Sequence, residues 1–320
     1  MFYLSAVNRS AVLLAAMLGM AALNGFLRMP DVNMPVFAFT FLSSALLADI
    51  TPFARRMNIA LLMALFSSLN QFLISGTHNW PVLQIIVSSL FAFFTFIYLP
   101  DLRAGCIVLI TGFLSYSAPS AFLPAVGRSI DIFIGVIVIA AVTSLFNASG
   151  NISSASSGQL LPCPKYRSFL LAAALAAGNL ISQMLRMKQG IWVMLTVLFI
   201  SMSESQQTPG NKLAIQRIFA VPAGIISGGL LLDSFCRMDY RFVYIVPFLG
   251  AAGFFILYNY NDFFLFSVIF MVSLTVFSDW TTGPYHRFHF WNALVSRSAA
   301  ALLGAVIYLV FPNTASRSNA

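Results

Sequence analysis

The residues best placed to do chemistry in this chain are a few ionisable side chains within or beside long apolar runs. Charge in hydrocarbon is expensive, so such groups mark pathways, pairs or relays. Asp131 follows Arg128 by three residues, which puts both on one helical face. The two fit either a neutralised structural ion pair or a proton-coupling site. Glu204 closes an apolar run within Ser201-Met202-Ser203-Glu204-Ser205-Gln206-Gln207-Thr208, a stretch too polar to face lipid. It fits the wall of a water-filled cavity, or a loop at the membrane surface. Arg217 and Arg297 each open an apolar run. Either can attract a carboxylate substrate or snorkel to a lipid headgroup, the commoner fate of a terminal arginine.

No enzyme constellation accompanies these residues. The chain has no GxxxxGK[ST] loop, so it does not energise itself with ATP in that way. His286-x-x-His289 has the spacing of helical metal ligands, but no acid or thiol stands near it in sequence. The surrounding Gly283-Pro284-Tyr285-His286-Arg287-Phe288-His289-Phe290 reads better as an interfacial aromatic belt. Cys106, Cys163 and Cys236 are far apart, and Cys106 lies in an apolar run as an inert packed thiol. The sequence therefore implies no cofactor, metal or disulfide. A lipid-processing or polyprenyl-processing enzyme would need acids or histidines clustered at one face, and none cluster here.

The elements that must position these residues are set by composition. The chain has 320 residues, 59% hydrophobic and only 8% charged, where a soluble domain carries about a quarter charged. Its outward surface must face lipid, and the 32 phenylalanines suit that solvent. The net charge of +8 comes from Lys and Arg scattered at the ends of apolar runs. That pattern flanks membrane spans and argues against nucleic acid as a partner. Runs of the length needed to cross a bilayer fall near 8–27, 32–48, 57–75, 81–99, 104–121 and 128–147. After a polar stretch they resume near 167–186, 190–204, 213–232, 241–258, 262–278 and 294–311. The expected fold is an all-α polytopic membrane protein of about twelve transmembrane helices. Residues 1–147 form a first six-helix repeat, 148–165 a polar linker and 166–320 a second repeat. The first run is too long for a signal peptide and lacks a small-residue cleavage site, so it is expected to be the first span.

The halves look duplicated. Arg9-Ser10 and Arg167-Ser168 lie 158 positions apart, and at the same offset Leu27-Arg28-Met29 matches Leu185-Arg186-Met187. With small gaps, Thr51-Pro52 falls opposite Thr208-Pro209, Arg56 opposite Arg217, and Arg128-Ser129 opposite Arg297-Ser298. An even span count makes the repeats parallel, with a route between them. The alternative is a duplication that only enlarged a scaffold. Gly224-x-x-x-Gly228 is expected to allow close helix packing, and Pro222 to kink the same helix. Positive charge divides almost evenly between the two faces, so it does not settle orientation.

Ile191-Trp192-Val193-Met194-Leu195-Thr196 resembles the aromatic-Trp-x-x-Leu-Thr opening of a core span in the fusaric-acid-resistance, or aromatic acid exporter, family. The run from Thr208-Pro209 through Arg217 to Ala220-Val221 and Gly224 resembles that family's polar turn, arginine and packing stretch. Arg297 with Gly304-Ala305 resembles its closing arginine-to-glycine helix. Two departures stand out. Ala220-Val221 replaces a Gly-Thr pair, and the first half offers Asn33-Met34-Pro35 in place of the Trp motif. Many relatives carry a large cytoplasmic domain between the halves, and Asn147–Lys165 leaves no room for one.

The resemblance implies export of small, chiefly aromatic, organic anions or toxic compounds across the bacterial inner membrane, with the N-terminus cytoplasmic. It implies a periplasmic adaptor and an outer-membrane channel as partners, besides membrane lipid. Trp192 joins Arg128, Asp131, Glu204, Arg217 and Arg297 as candidates for substrate binding or coupling. A cationic cleft with aromatic walls suits a flat anion. Without an ATP site the proton gradient is the expected drive, with Asp131 and Glu204 as carriers. The alternative is a non-transporting membrane scaffold that docks the adaptor.

Overall fold

The computed structural model describes residues 11, 14–16, 18, 39–40, 42–43, 46–47, 50, 53–77, 79–114, 122–148, 162–187, 190–204, 209–235, 245–260, 262–281 and 287–311. Every regular element among them is a helix, the form that satisfies each backbone group within its own segment in lipid. In order these are α1 (Phe53–Thr77), α2 (Pro81–Tyr98), α3 (Leu102–Leu114), α4 (Phe122–Ala148) and α5 (Lys165–Met184). They continue with α6 (Ile191–Ser203), α7 (Gly210–Phe235), α8 (Ile245–Tyr260), α9 (Phe263–Thr281) and α10 (Arg287–Val310). These ten coincide in order with the third to twelfth expected runs. The first two runs lie largely outside the described residues, as do Arg9, Leu27-Arg28-Met29, Asn33-Met34-Pro35, most of the linker, Ser205–Thr208, Cys236 and His286.

Five described segments are long and apolar enough to cross a membrane: Phe53–Thr77, Pro81–Tyr98, Ala125–Thr143, Gly210–Leu232 and Trp291–Val310. Their polarity is the reverse of a soluble helix. On α1, Leu61, Leu65 and Leu69 are exposed at four-residue steps, while Ser67, Asn70 and Gln71 are buried. Ile215, Phe219, Ile226 and Leu230 form the outer stripe of α7, and Trp291, Val295, Leu302 and Val306 that of α10. Apolar outside and polar inside is the arrangement a lipid solvent selects, and the chain is an integral membrane protein.

The centre is built from two short helices. All ten residues from Trp192 to Ser201 of α6 are buried, and so is all of α3 except Arg103. α6 packs against α3, α5, α7 and α10. Within the first half, α1 packs on α2, α3 and α4, and α2 on α3. Within the second, α7 packs on α9 and α10, and α8 on α9. The halves meet where α2 touches α5 and α3 touches α6.

Glycine sets the closest approaches. A Cβ on Gly224 would press on Met271 and, at 2.7 Å, on the Val268 carbonyl of α9. At Gly228 it would meet Thr275 at 2.9 Å, so the expected glycine motif does bring α7 onto α9. Gly304 does the same for α10 on α6, where a Cβ would lie 2.5 Å from the Val193 carbonyl and 2.8 Å from Thr196. α7 runs on through Pro222, which has no N–H to give the Ile218 carbonyl.

Candidate functional site

The site is organised by one face of α6. Trp192 and Phe199 are seven residues apart, two turns along the same stripe, and both are buried. Each carries a buried arginine from a neighbouring helix. Arg297 of α10 lies over the Trp192 ring, its guanidinium carbon 4.9 Å from the centroid. Arg217 of α7 lies over the Phe199 ring at 4.6 Å. The two cations therefore stand at successive depths, roughly 10 Å apart along α6 by its rise per residue.

Arg217 is fully buried. One of its terminal nitrogens, Nη2, reaches only the Met271 sulfur of α9, at 3.7 Å, a weak acceptor. Its Nε and Nη1 have no hydrogen-bond partner among the described residues, and no carboxylate among them pairs with it. Phe270 extends the aromatic wall, its ring 4.7 Å from that of Phe199. The Ser267 hydroxyl, one turn before Met271, is buried with no partner among the described residues. The result is a fixed cation with spare donors, walled by aromatic rings and a thioether. Such a place favours an acceptor-rich anion with a flat apolar body. Arg56, matched to Arg217 in the sequence repeat, is also buried, but it gives its Nε to the Ile50 carbonyl at 2.9 Å.

Glu204 closes α6 and belongs to a separate polar knot. Its carboxylate is ion-paired with Arg167, in the first turn of α5. It also accepts a hydrogen bond from the Tyr308 hydroxyl of α10 at 2.7 Å. Each charge sits at the helix end whose dipole opposes it, an arginine at an N-terminus and a glutamate at a C-terminus, and the pairing compensates both. Gly210, at the start of α7, lies against the Tyr308 ring. Burial pushes the nearby Cys163 thiol up, opposed by a hydrogen bond with Ser168 and by the Arg167 charge. Cys106 is in the core.

Arg128 and Asp131 lie in the first half, away from this group, where α4 packs on α1. The ion pair that their spacing suggests is not made among the described residues. Arg128 instead donates from Nε to the Gln71 side-chain oxygen at 2.9 Å. Long helical side chains lean toward the N-terminus, which carries Arg128 away from a residue later in the helix. Thus Trp192, Arg217 and Arg297 come together around α6, Glu204 sits at its end, and Arg128 with Asp131 stands apart. Phe199, Met271 and Tyr308 are not singled out by the sequence, and Arg167 enters there only as a marker of the repeat. Phe199 alone left a signal, its seven-residue spacing from Trp192.

Residues 174–311 match the family described as fusaric acid resistance protein-like. The match takes in Trp192, Glu204, Arg217 and Arg297, and ends short of Arg128 and Asp131. No curated protein and no solved structure matches the chain.

Proposed function

We propose that the protein is the membrane subunit of an efflux transporter and that its second half carries small organic anions, aromatic carboxylates foremost. Arg217 is the observation that carries this reading. A guanidinium buried without a carboxylate is unfavourable for the fold alone, and it is retained where a ligand completes it. Its neighbours Phe199 and Phe270 offer ring faces to a flat substrate, and Arg297 on Trp192 offers a second station along α6. The match of this half to a fusaric acid resistance protein-like family supports the same conclusion.

Proton entry is the proposed drive, with Asp131 and Glu204 as carriers. Protonation of Glu204 would weaken its bonds to Arg167 and Tyr308 and so loosen α5 from α10. The proposed architecture has twelve spans in two parallel repeats, in a bacterial inner membrane with the N-terminus cytoplasmic. Matching neighbours support the repeat: in α1–α4 and in α7–α10 alike, the first helix packs on the third and fourth, and the second on the third. A periplasmic adaptor leading to an outer-membrane channel is the proposed partner.

The test is growth inhibition by a panel of aromatic carboxylic acids. Cells lacking the protein are compared with cells making wild type or Arg217→Ala at equal levels. Protection by wild type that is lost in Arg217→Ala is expected. Equal protection by both would remove Arg217 from the transport path.

A further inference from the structure

Between α1 and α4 lies a second place where buried donors outnumber acceptors. Arg128, 2% exposed, uses its Nε on the oxygen of the fully buried Gln71. That bond leaves Nη1 of the arginine and Nε2 of the glutamine without an acceptor among the described residues. Ser67 and Ser68, one turn before Gln71, are buried as well, and their hydroxyls have no partner among the described residues. Three hydroxyls of these two helices bond back to the carbonyl four residues earlier, Thr77 to Leu73, Ser129 to Ala125 and Thr143 to Ile139, whereas Ser75 of α1, one turn beyond Gln71, has no partner among the described residues. Ser67 and Ser68 forgo that bond, which leaves them available to the seam between the helices.

A guanidinium, an amide NH2 and hydroxyls are satisfied together by a group that is negative and accepts several hydrogen bonds. Water would serve the hydroxyls and leave the cation uncompensated, and a metal ion is repelled. Asp131 is the charged residue one turn further along α4, and it opposes part of the Arg128 field without pairing with it among the described residues.

We infer that α1 and α4 form a second oxyanion site, in which Arg128 is the cation and Gln71, Ser67 and Ser68 are neutral donors. It rests on the reading of the protein as an anion carrier, and it takes the same head-group chemistry as the Arg217 site. Arg128 stands six residues beyond Phe122, where α4 begins, about 9 Å along the helix axis. At that depth the proposed occupant is the carboxylate of a soluble organic acid or the phosphate of an anionic lipid, which share the same acceptor chemistry.

The experiment is calorimetric titration of the full-length protein with benzoate, in nanodiscs of purely zwitterionic lipid. Wild type is expected to show two binding events per chain. Gln71→Leu and Arg128→Met each remove one event, Arg217→Met removes the other, and Asp131→Asn tightens the Arg128 event severalfold. A second arm adds phosphatidylglycerol and follows retained lipid by native mass spectrometry. One benzoate event in wild type, with one lipid retained that Gln71→Leu releases, assigns the same site to a lipid head. Two benzoate events that both survive Gln71→Leu and Arg128→Met overturn the second site, as does a single event that Arg217→Met removes when no lipid is retained. Loss of the Arg217-dependent event alone overturns the carrier reading of the second half and leaves this site standing.

Discussion

Arg297 and Trp192 meet face on, the guanidinium carbon 4.9 Å from the centre of the ring, and so join α10 to α6 at the core. A desolvated contact of this kind contributes about 1–2 kcal/mol. Trp192→Leu should lower stability by at least that amount and reduce export, with Trp192→Phe intermediate in both. Thermal unfolding in detergent gives the first readout and efflux of a labelled acid the second. Unchanged melting in Trp192→Leu would mean that the contact contributes nothing.

Arg217 carries the opposite expectation. Because its charge is buried without a carboxylate partner among the described residues, Arg217→Met should melt higher than wild type, by the equivalent of about 1–4 kcal/mol. Export should be abolished in the same variant. A variant that exports poorly and also melts low would identify Arg217 as a structural residue.

Close packing at Gly224 and Gly304 gives a steric test. Gly304→Ala would drive a methyl to 2.5 Å from the Val193 carbonyl, and overpacking of that sort costs roughly 1–3 kcal/mol. Gly127 has open space where its Cβ would stand. Gly127→Ala should therefore stabilise α4 by up to about 1 kcal/mol through helix propensity. The ranking of the two variants by melting temperature is the measurement.

The hydrogen bond from Tyr308 to Glu204 joins the ends of α10 and α6. A hydrogen bond to a charged acceptor is worth roughly 1.5–3 kcal/mol. Tyr308→Phe should lose that much, and the loss should largely vanish in a Glu204→Ala background, which removes the acceptor. A double-mutant cycle with a coupling near zero would show the two residues to be independent.

Arg186 has φ 49° at the end of α5, where the Met187 N–H closes on the Ser182 carbonyl at 2.9 Å. An L-residue in that region costs roughly 1–2 kcal/mol relative to glycine. Arg186→Gly should therefore raise the melting temperature while leaving export intact. A lower melting temperature would place the value of Arg186 in its side chain.

Much of the helical scaffold is legible in the sequence, because a span must be a long apolar run and such runs are visible one by one. Arg217 and Arg297 are legible as candidates for a related reason: charge in an apolar run demands an explanation. Their partners are not. Gln71 and Arg128 are 57 residues apart, and Glu204 is 37 residues from Arg167 and 104 from Tyr308. Only the packing of α1 on α4, and of α5 and α10 about α6, brings such pairs together. Sequence spacing was also misleading for Arg128 and Asp131, since a shared helical face fixes neighbourhood and leaves side-chain direction open. Polar Gln71 inside an apolar run was the available signal for the seam, and its weight emerges only with Arg128 bonded to it.

The brevity of α6 bears on energetics. It has 13 residues, as does α3 beside it, and so measures about 20 Å against a hydrocarbon layer of about 30 Å. Voltage falls across the insulating part of any path, and if water meets both ends of α6 that part would be about a third thinner than in the surrounding lipid. The local field would then be correspondingly steeper where Arg217 and Arg297 stand. A membrane potential of about 100 mV, negative inside, is worth about 2.3 kcal/mol per elementary charge. Under the proposed export of a monovalent anion, that work would be concentrated along one short helix, so transport is expected to be electrogenic and to accelerate with polarisation.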